Sequence, residues 1–95
     1  MYAEIRKYTS NSVDEVIKRA KEGFVPIISS HKGFKAYYIL KETPTTFASI
    51  SLFNTLAEAR ESNTLAKDWV HENIHSLLPQ PPEITEGEVE VSTEK

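Results

Sequence analysis

Ninety-five residues with 11 basic and 14 acidic side chains give a net charge of -3 and make one domain with one modest core. With no cysteine, disulfides, thiolate nucleophiles and thiolate metal sites are excluded, and the pI near 5.6 disfavours a general binder of phosphate backbones. No apolar run approaches the roughly 18 residues of a membrane span, so the expectation is a soluble, cytoplasmic protein that touches neither membrane nor nucleic acid.

Tyr2 to Tyr8 alternates as a strand, with Ala3 and Ile5 on one face and Tyr2, Glu4, Arg6 and Tyr8 on the other. Ser12-Val13-Asp14-Glu15 has the form of a capping box. Val13, Val16, Ile17, Ala20, Phe24, Ile27 and Ile28 then keep helical spacing through Gly23 and Pro26, which predicts one kinked helix to about Ser30. His31-Lys32-Gly33 is a turn with His31 exposed, and Phe34 to Lys41 is a second strand, with Phe34, Ala36, Tyr38 and Leu40 opposite Lys35, Tyr37 and Ile39. Thr43-Pro44-Thr45 leads as a hairpin loop into a third strand, Thr46 to Phe53, whose faces are Ala48, Ile50, Leu52 and Phe47, Ser49, Ser51, Phe53.

A second helix opens at the capping box Thr55-Leu56-Ala57-Glu58 and runs to Pro79. Its stripe is Leu56, Ala59, Ala66, Trp69, Val70, Ile74 and Leu77, interrupted midway by Ser62 and Asn63. Pro79-Gln80-Pro81-Pro82 is a stiff linker, Gly87 to Val91 a last short strand, and residues 93 to 95 a frayed tail behind a single domain of residues 1 to 92.

The order β-α-β-β-α-β predicts an α+β, ferredoxin-like fold, a four-stranded antiparallel sheet with two helices on one face. The face holding Ala3, Ile5, Phe34, Ala36, Tyr38, Leu40, Ala48, Ile50, Leu52, Val89 and Val91 is the more apolar, and is expected beneath the helices. The other mixes Tyr2, Tyr8, Tyr37, Ile39, Phe47 and Phe53 with charged and hydroxyl side chains, and is expected to form a sheet-to-sheet homodimer interface.

Several sharper patterns have duller readings. His71-Glu72-Asn73-Ile74-His75 matches H-E-x-x-H, where two imidazoles one turn apart bind zinc. With Val70, Ile74 and Leu77 facing the core, both histidines fall on a flank or toward solvent, Glu72 falls on the opposite flank, and no third-ligand motif follows. The match therefore reads as incidental, with no metal expected. Lys32-Gly33-Phe34 resembles the start of an RNA-binding strand but departs at Lys35 and Ala36 and falls on the second strand. Ser62 and Asn63 either line a wet pocket or pack against a loop, and Tyr37, Ser49 and Ser51 belong either to that pocket or to the interface. The candidate ligand site is Tyr37, Ser49, Asn63 and Trp69, between the second helix and the sheet. Trp69 has core packing as its plainer role, and no catalytic residue is assigned.

The run Gly33-Phe34, Tyr37-Tyr38, Phe47 to Phe53, Glu58-Ala59, Ser62, Ala66, Trp69 and Gly87-Glu88-Val89 resembles the antibiotic biosynthesis monooxygenase-like family of the dimeric α/β-barrel superfamily, over Tyr2 to Ser92. The resemblance implies a homodimer whose sheets face each other as a barrel, with a pocket between sheet and helices in each subunit. In its active members it implies cofactor-free oxygenation of polyphenolic compounds or oxidative haem breakdown. A helix-two tryptophan and a strand-one asparagine recur there. Trp69 matches the former, while the first strand offers Glu4, Arg6 and Tyr8 where the asparagine stands, and no histidine is placed as a haem ligand. Two functions stay open. One is a cofactor-free oxygenase in which Trp69 and Tyr37 hold an aromatic ring and Asn63 or Arg6 steadies an oxyanion. The other is a non-catalytic dimeric module that binds a small aromatic ligand or simply assembles. No cofactor motif is present.

Overall fold

The computed structural model describes residues 1–93, so the last two positions of the expected tail lie outside the described residues. Strands β1 (Tyr2–Thr9), β2 (Phe34–Thr43), β3 (Thr46–Phe53) and β4 (Glu83–Glu88) form one antiparallel sheet in the order β2-β3-β1-β4. Helices α1 (Val13–Arg19), α2 (Val25–Ser29) and α3 (Leu56–Asn73) complete the predicted ferredoxin-like α+β arrangement.

The first helical segment is continuous through Gly23 and Pro26, as its spacing predicts. Its irregularity is a π turn, Ala20–Phe24, in which the Val25 N–H donates to the Ala20 carbonyl five residues back. Widening the helix here gives the Pro26 ring room, since a proline otherwise collides with the carbonyl four residues before it. The expected capping box at Ser12 is absent. Ser12 makes no side-chain cap; the fully buried Ser10 hydroxyl instead accepts from the Ser12 N–H at 2.9 Å and donates to the Leu77 carbonyl at 2.7 Å. The box at Thr55 is present, with Thr55 Oγ1 accepting from Glu58 N–H at 3.2 Å and Glu58 Oε1 from Thr55 N–H at 3.1 Å. α3 stops at Asn73 and tightens into a 3-10 turn over His75–Leu77, short of Pro79. β4 begins four residues earlier than the predicted strand at Gly87, so only its end overlaps that prediction.

The sheet is turned over relative to the expectation. Glu4, Arg6, Tyr8, Phe47, Ser49, Ser51 and Phe53 are buried beneath the helices. Tyr38 and Leu40, expected in the core, are 56% and 52% exposed on the outer face. Phe53, expected at a dimer interface, has no exposed surface and packs in a cluster with Ala20, Phe24, Ile28, Ala59 and Ala66. A bulge between Phe34 and Ala36 also brings Phe34 to that cluster alongside Tyr37 and Ile39, so Phe34 does not share a face with Tyr38. Period two decides which residues share a face, and here both faces are apolar enough to cover. The helices took the face with large aromatic rings and left the one with smaller aliphatic side chains outward.

His31 differs too. It is half buried, with its ring edge-on to Phe53 at 5.7 Å and Nε2 3.4 Å from Glu61. Gly33 at φ +78° completes that turn, in a backbone region that side chains disfavour.

Candidate functional site

The buried stripe of α3 is built of the small residues Ala59, Ser62 and Ala66, which lets the helix sit close on the sheet. Ser62 is fully buried and donates to the Ala59 carbonyl at 2.6 Å, so its polarity is spent within its own helix. Asn63, one residue on, points its amide at β1. Arg6 Nε and Nη2 donate to Asn63 Oδ1 at 3.0 and 2.6 Å.

Arg6 is only 3% exposed and also pairs through Nη2 with the buried carboxylate of Glu4, two residues back on the same face of β1. Neither Glu4 oxygen has another hydrogen-bond partner among the described residues. Burial pushes the Glu4 carboxyl above its ordinary value. The Arg6 charge pulls the other way without overcoming that, and Glu86, opposite Glu4 on β4, adds to the rise.

Two cavities meet at Arg6. The inner one, about 30 Å³, has room for about one water molecule. Tyr37, Ser49 and Trp69 line it with Arg6, Tyr8 and Phe24. Its walls are aromatic: Tyr8 stacks on Phe47 at 4.9 Å, while Phe24 meets Tyr37 edge-on at 5.8 Å and Trp69 at a tilt at 5.6 Å. Gly23 allows this packing, because a Cβ there would come within 3.1 Å of the Trp69 ring. Burial pushes the Tyr37 phenol up to about 12, although the Ser49 hydroxyl lowers it somewhat, and burial raises Tyr8 also, against the pull of Arg6. Near neutral pH both phenols keep their protons and act as hydrogen-bond groups, not bases.

The outer cleft is larger, about 360 Å³, and lies between α3 and the approach to β4. Arg6, Tyr8, Asn63 and Lys67 supply its polar edge; Val70, Pro81, Pro82 and Ile84 supply its apolar wall. Of the four candidate residues, three thus meet at the inner cavity, and Asn63 lies in the adjoining cleft, joined to them through Arg6. Glu4 entered the sequence reading only as one of three first-strand residues standing where the family's asparagine does, and Lys67 and Ile84 were not singled out. A carboxylate and a guanidinium two apart in one strand were the available signal, since they share a face and pair there; nothing local marks Lys67 or Ile84.

His71 and His75 do meet, edge to face with ring centroids 5.6 Å apart, but α3 ends between them and both are exposed. Among the described residues no three His, Cys, Asp or Glu side chains gather as a metal-holding group, and no helix is long and apolar enough to cross a membrane.

This architecture is that of the antibiotic biosynthesis monooxygenase-like structures, to which the chain is similar in fold along almost its whole length. The monooxygenase from the gene ActVA-Orf6 of Streptomyces coelicolor, solved with the ligand Nanaomycin D, superposes with a TM-score of 0.80 at 14% identity, covering 99% of this chain and 91% of that one. SnoaB, a cofactor-independent oxygenase from Streptomyces nogalater, gives 0.76 at 10% identity over 99% and 97%. A candidate antibiotic biosynthesis monooxygenase from Nitrosomonas europaea gives 0.77 at 18% identity over 96% and 100%. No protein-family model matches the chain, and no curated protein matches it by sequence.

Proposed function

We propose that the chain is an antibiotic biosynthesis monooxygenase-like protein that binds a small aromatic compound between α3 and the sheet and oxygenates it without a cofactor. The observation that carries this reading is Arg6, a buried cation fixed by Asn63 and Glu4 where an aromatic cavity and an apolar-walled cleft meet. A few oriented polar groups in an apolar wall are what an oriented small-molecule site requires. Likeness of fold to a cofactor-independent oxygenase and to a monooxygenase solved with the ligand Nanaomycin D supports the reaction class.

In that reaction an electron-rich phenolate ring gives electrons directly to dioxygen. One oxygen atom becomes a ring carbonyl in place of two hydrogens of a ring methylene, and the other leaves as water. Arg6 and the Asn63 amide stabilise the oxyanion of the ionised ring, a contact that strengthens as charge localises on oxygen. Tyr37 and Tyr8, both protonated near neutral pH, leave the lining without an evident base, which favours a second reading, a dimeric ligand-binding module without catalysis. In either reading the outer sheet face, with Tyr38 and Leu40 exposed beside Ile5, Ile50 and Leu52, packs against a second copy of the chain.

An anthrone, whose ring methylene is oxidised to a carbonyl, separates the two readings. The catalytic reading expects protein-dependent oxygen uptake, one dioxygen per quinone formed, insensitive to chelators and reduced by Asn63→Leu. Quenching of Trp69 fluorescence with no oxygen uptake selects the binding module. Neither response to any planar aromatic removes both.

A further inference from the structure

The outer cleft carries a charge pattern unlike the rest of the molecule. The chain has more acids than bases, yet the residues lining this cleft include two cations, Arg6 and Lys67, and no carboxylate. Arg6 is paired with Glu4 outside the cleft lining. Lys67 has no ion-pair partner among the described residues, so the cleft keeps one uncompensated positive charge.

The hydrogen-bonding groups have the same polarity. A guanidinium can only donate, so its two bonds fix Asn63 with Oδ1 toward Arg6 and the amide NH₂ on the opposite side. Arg6 uses Nε and Nη2 in these contacts and in the pair with Glu4, and Tyr8 lines the cleft beside it. Ile84 meanwhile leaves almost half its surface open on the apolar side of the same cleft, with Val70 and Pro82 beside it.

From a cationic, donor-rich rim without a carboxylate above an apolar wall, we infer that the cleft selects an aromatic monoanion, a carboxylate or a phenolate, with its charged group at Lys67 and Arg6 and its ring against Ile84 and Val70. This rests on the ligand-site reading above and specifies its substrate class. About 360 Å³ is at the small end of ligand sites, enough for a ring system of two or three fused rings. Glu4 has a positioning role: with Asn63 it holds Arg6 in place at the edge of the cleft. For a phenol, the same field lowers the cost of ionisation, so the substrate supplies the electron-rich anion that no base in the lining generates.

Calorimetric titration of the full chain with 2-naphthoate and its neutral isostere 2-naphthamide tests this. The naphthoate is expected to bind about ten-fold tighter, a preference that shrinks as salt rises. Lys67→Gln, an exposed position whose replacement spares the fold, should abolish that preference and leave the amide's affinity unchanged. Bound 2-naphthol, followed by its absorbance, separates the two anion sources. A pKa lowered by about one unit relative to free naphthol assigns the phenolate, and an unshifted pKa with naphthoate still preferred assigns the carboxylate. Equal binding of naphthoate and naphthamide, or a preference that survives Lys67→Gln, overturns the charge assignment and leaves the ligand site standing. No binding of either overturns both.

Discussion

Glu4 and Arg6 show how a residue's meaning changes with burial. On an exposed strand such a pair contributes little, whereas removing one partner from a buried pair typically costs about 3–5 kcal/mol, because the other charge is left without compensation. The raised Glu4 carboxyl makes a signed prediction. The folded state prefers the protonated acid, so Glu4's contribution to stability is greatest at low pH and is lost as pH rises from the ordinary value of 4.5 through the higher folded value. Between pH 4.5 and neutrality, the melting temperature of the wild type minus that of Glu4→Gln should therefore fall as pH rises. A difference that grows instead would mean that Arg6 holds the carboxylate below its ordinary value.

At the scale of elements, the first helical segment and α3 are fitted to each other at Gly23. The π turn carries Gly23 against the Trp69 indole, whose ring atoms stand 3.1 and 3.2 Å from where a Cβ would lie. Trp69 in turn walls the inner cavity. A glycine inside a helix ordinarily costs about 0.5–1 kcal/mol relative to alanine, so this one is retained against propensity for the approach it permits. Gly23→Leu should displace the indole, shift Trp69 emission and destabilise the fold by about 1–3 kcal/mol, the range for overpacking a core. Unchanged emission with raised stability would show that the approach has slack.

For the molecule as a whole, the proposed dimer calls for the sheet face that the helices leave uncovered. The outer face presents Tyr38 and Leu40, and Leu40 is half exposed, so a charge there should leave the single chain folded. Leu40→Asp is expected to weaken self-association by at least about ten-fold in sedimentation experiments while circular dichroism is retained. Phe53→Asp, by contrast, buries a charge beneath the helices and should unfold the chain. A Leu40→Asp dimer as tight as the wild type would place the interface elsewhere.

Local patterns determined much of this protein. Alternation paired residues correctly within β1 and β3, the Thr55 box set the start of α3, and a helical stripe passing through Pro26 marked one continuous segment. These features depend on neighbours within a few positions, and their order is enough for the ferredoxin-like topology. The interruption of the α3 stripe at Ser62 and Asn63 left a wet pocket and a loop contact both open; Asn63 turns to Arg6, and Ser62 closes on its own helix. Which face the helices cover could not be read, because alternation is symmetric between faces and both were apolar; only docking of Phe24, Ile28 and Ala59 against Phe53 decided it. The cleft was equally out of reach. Arg6, Lys67 and Ile84 come from three elements, and the charge they share exists only once the chain brings them together.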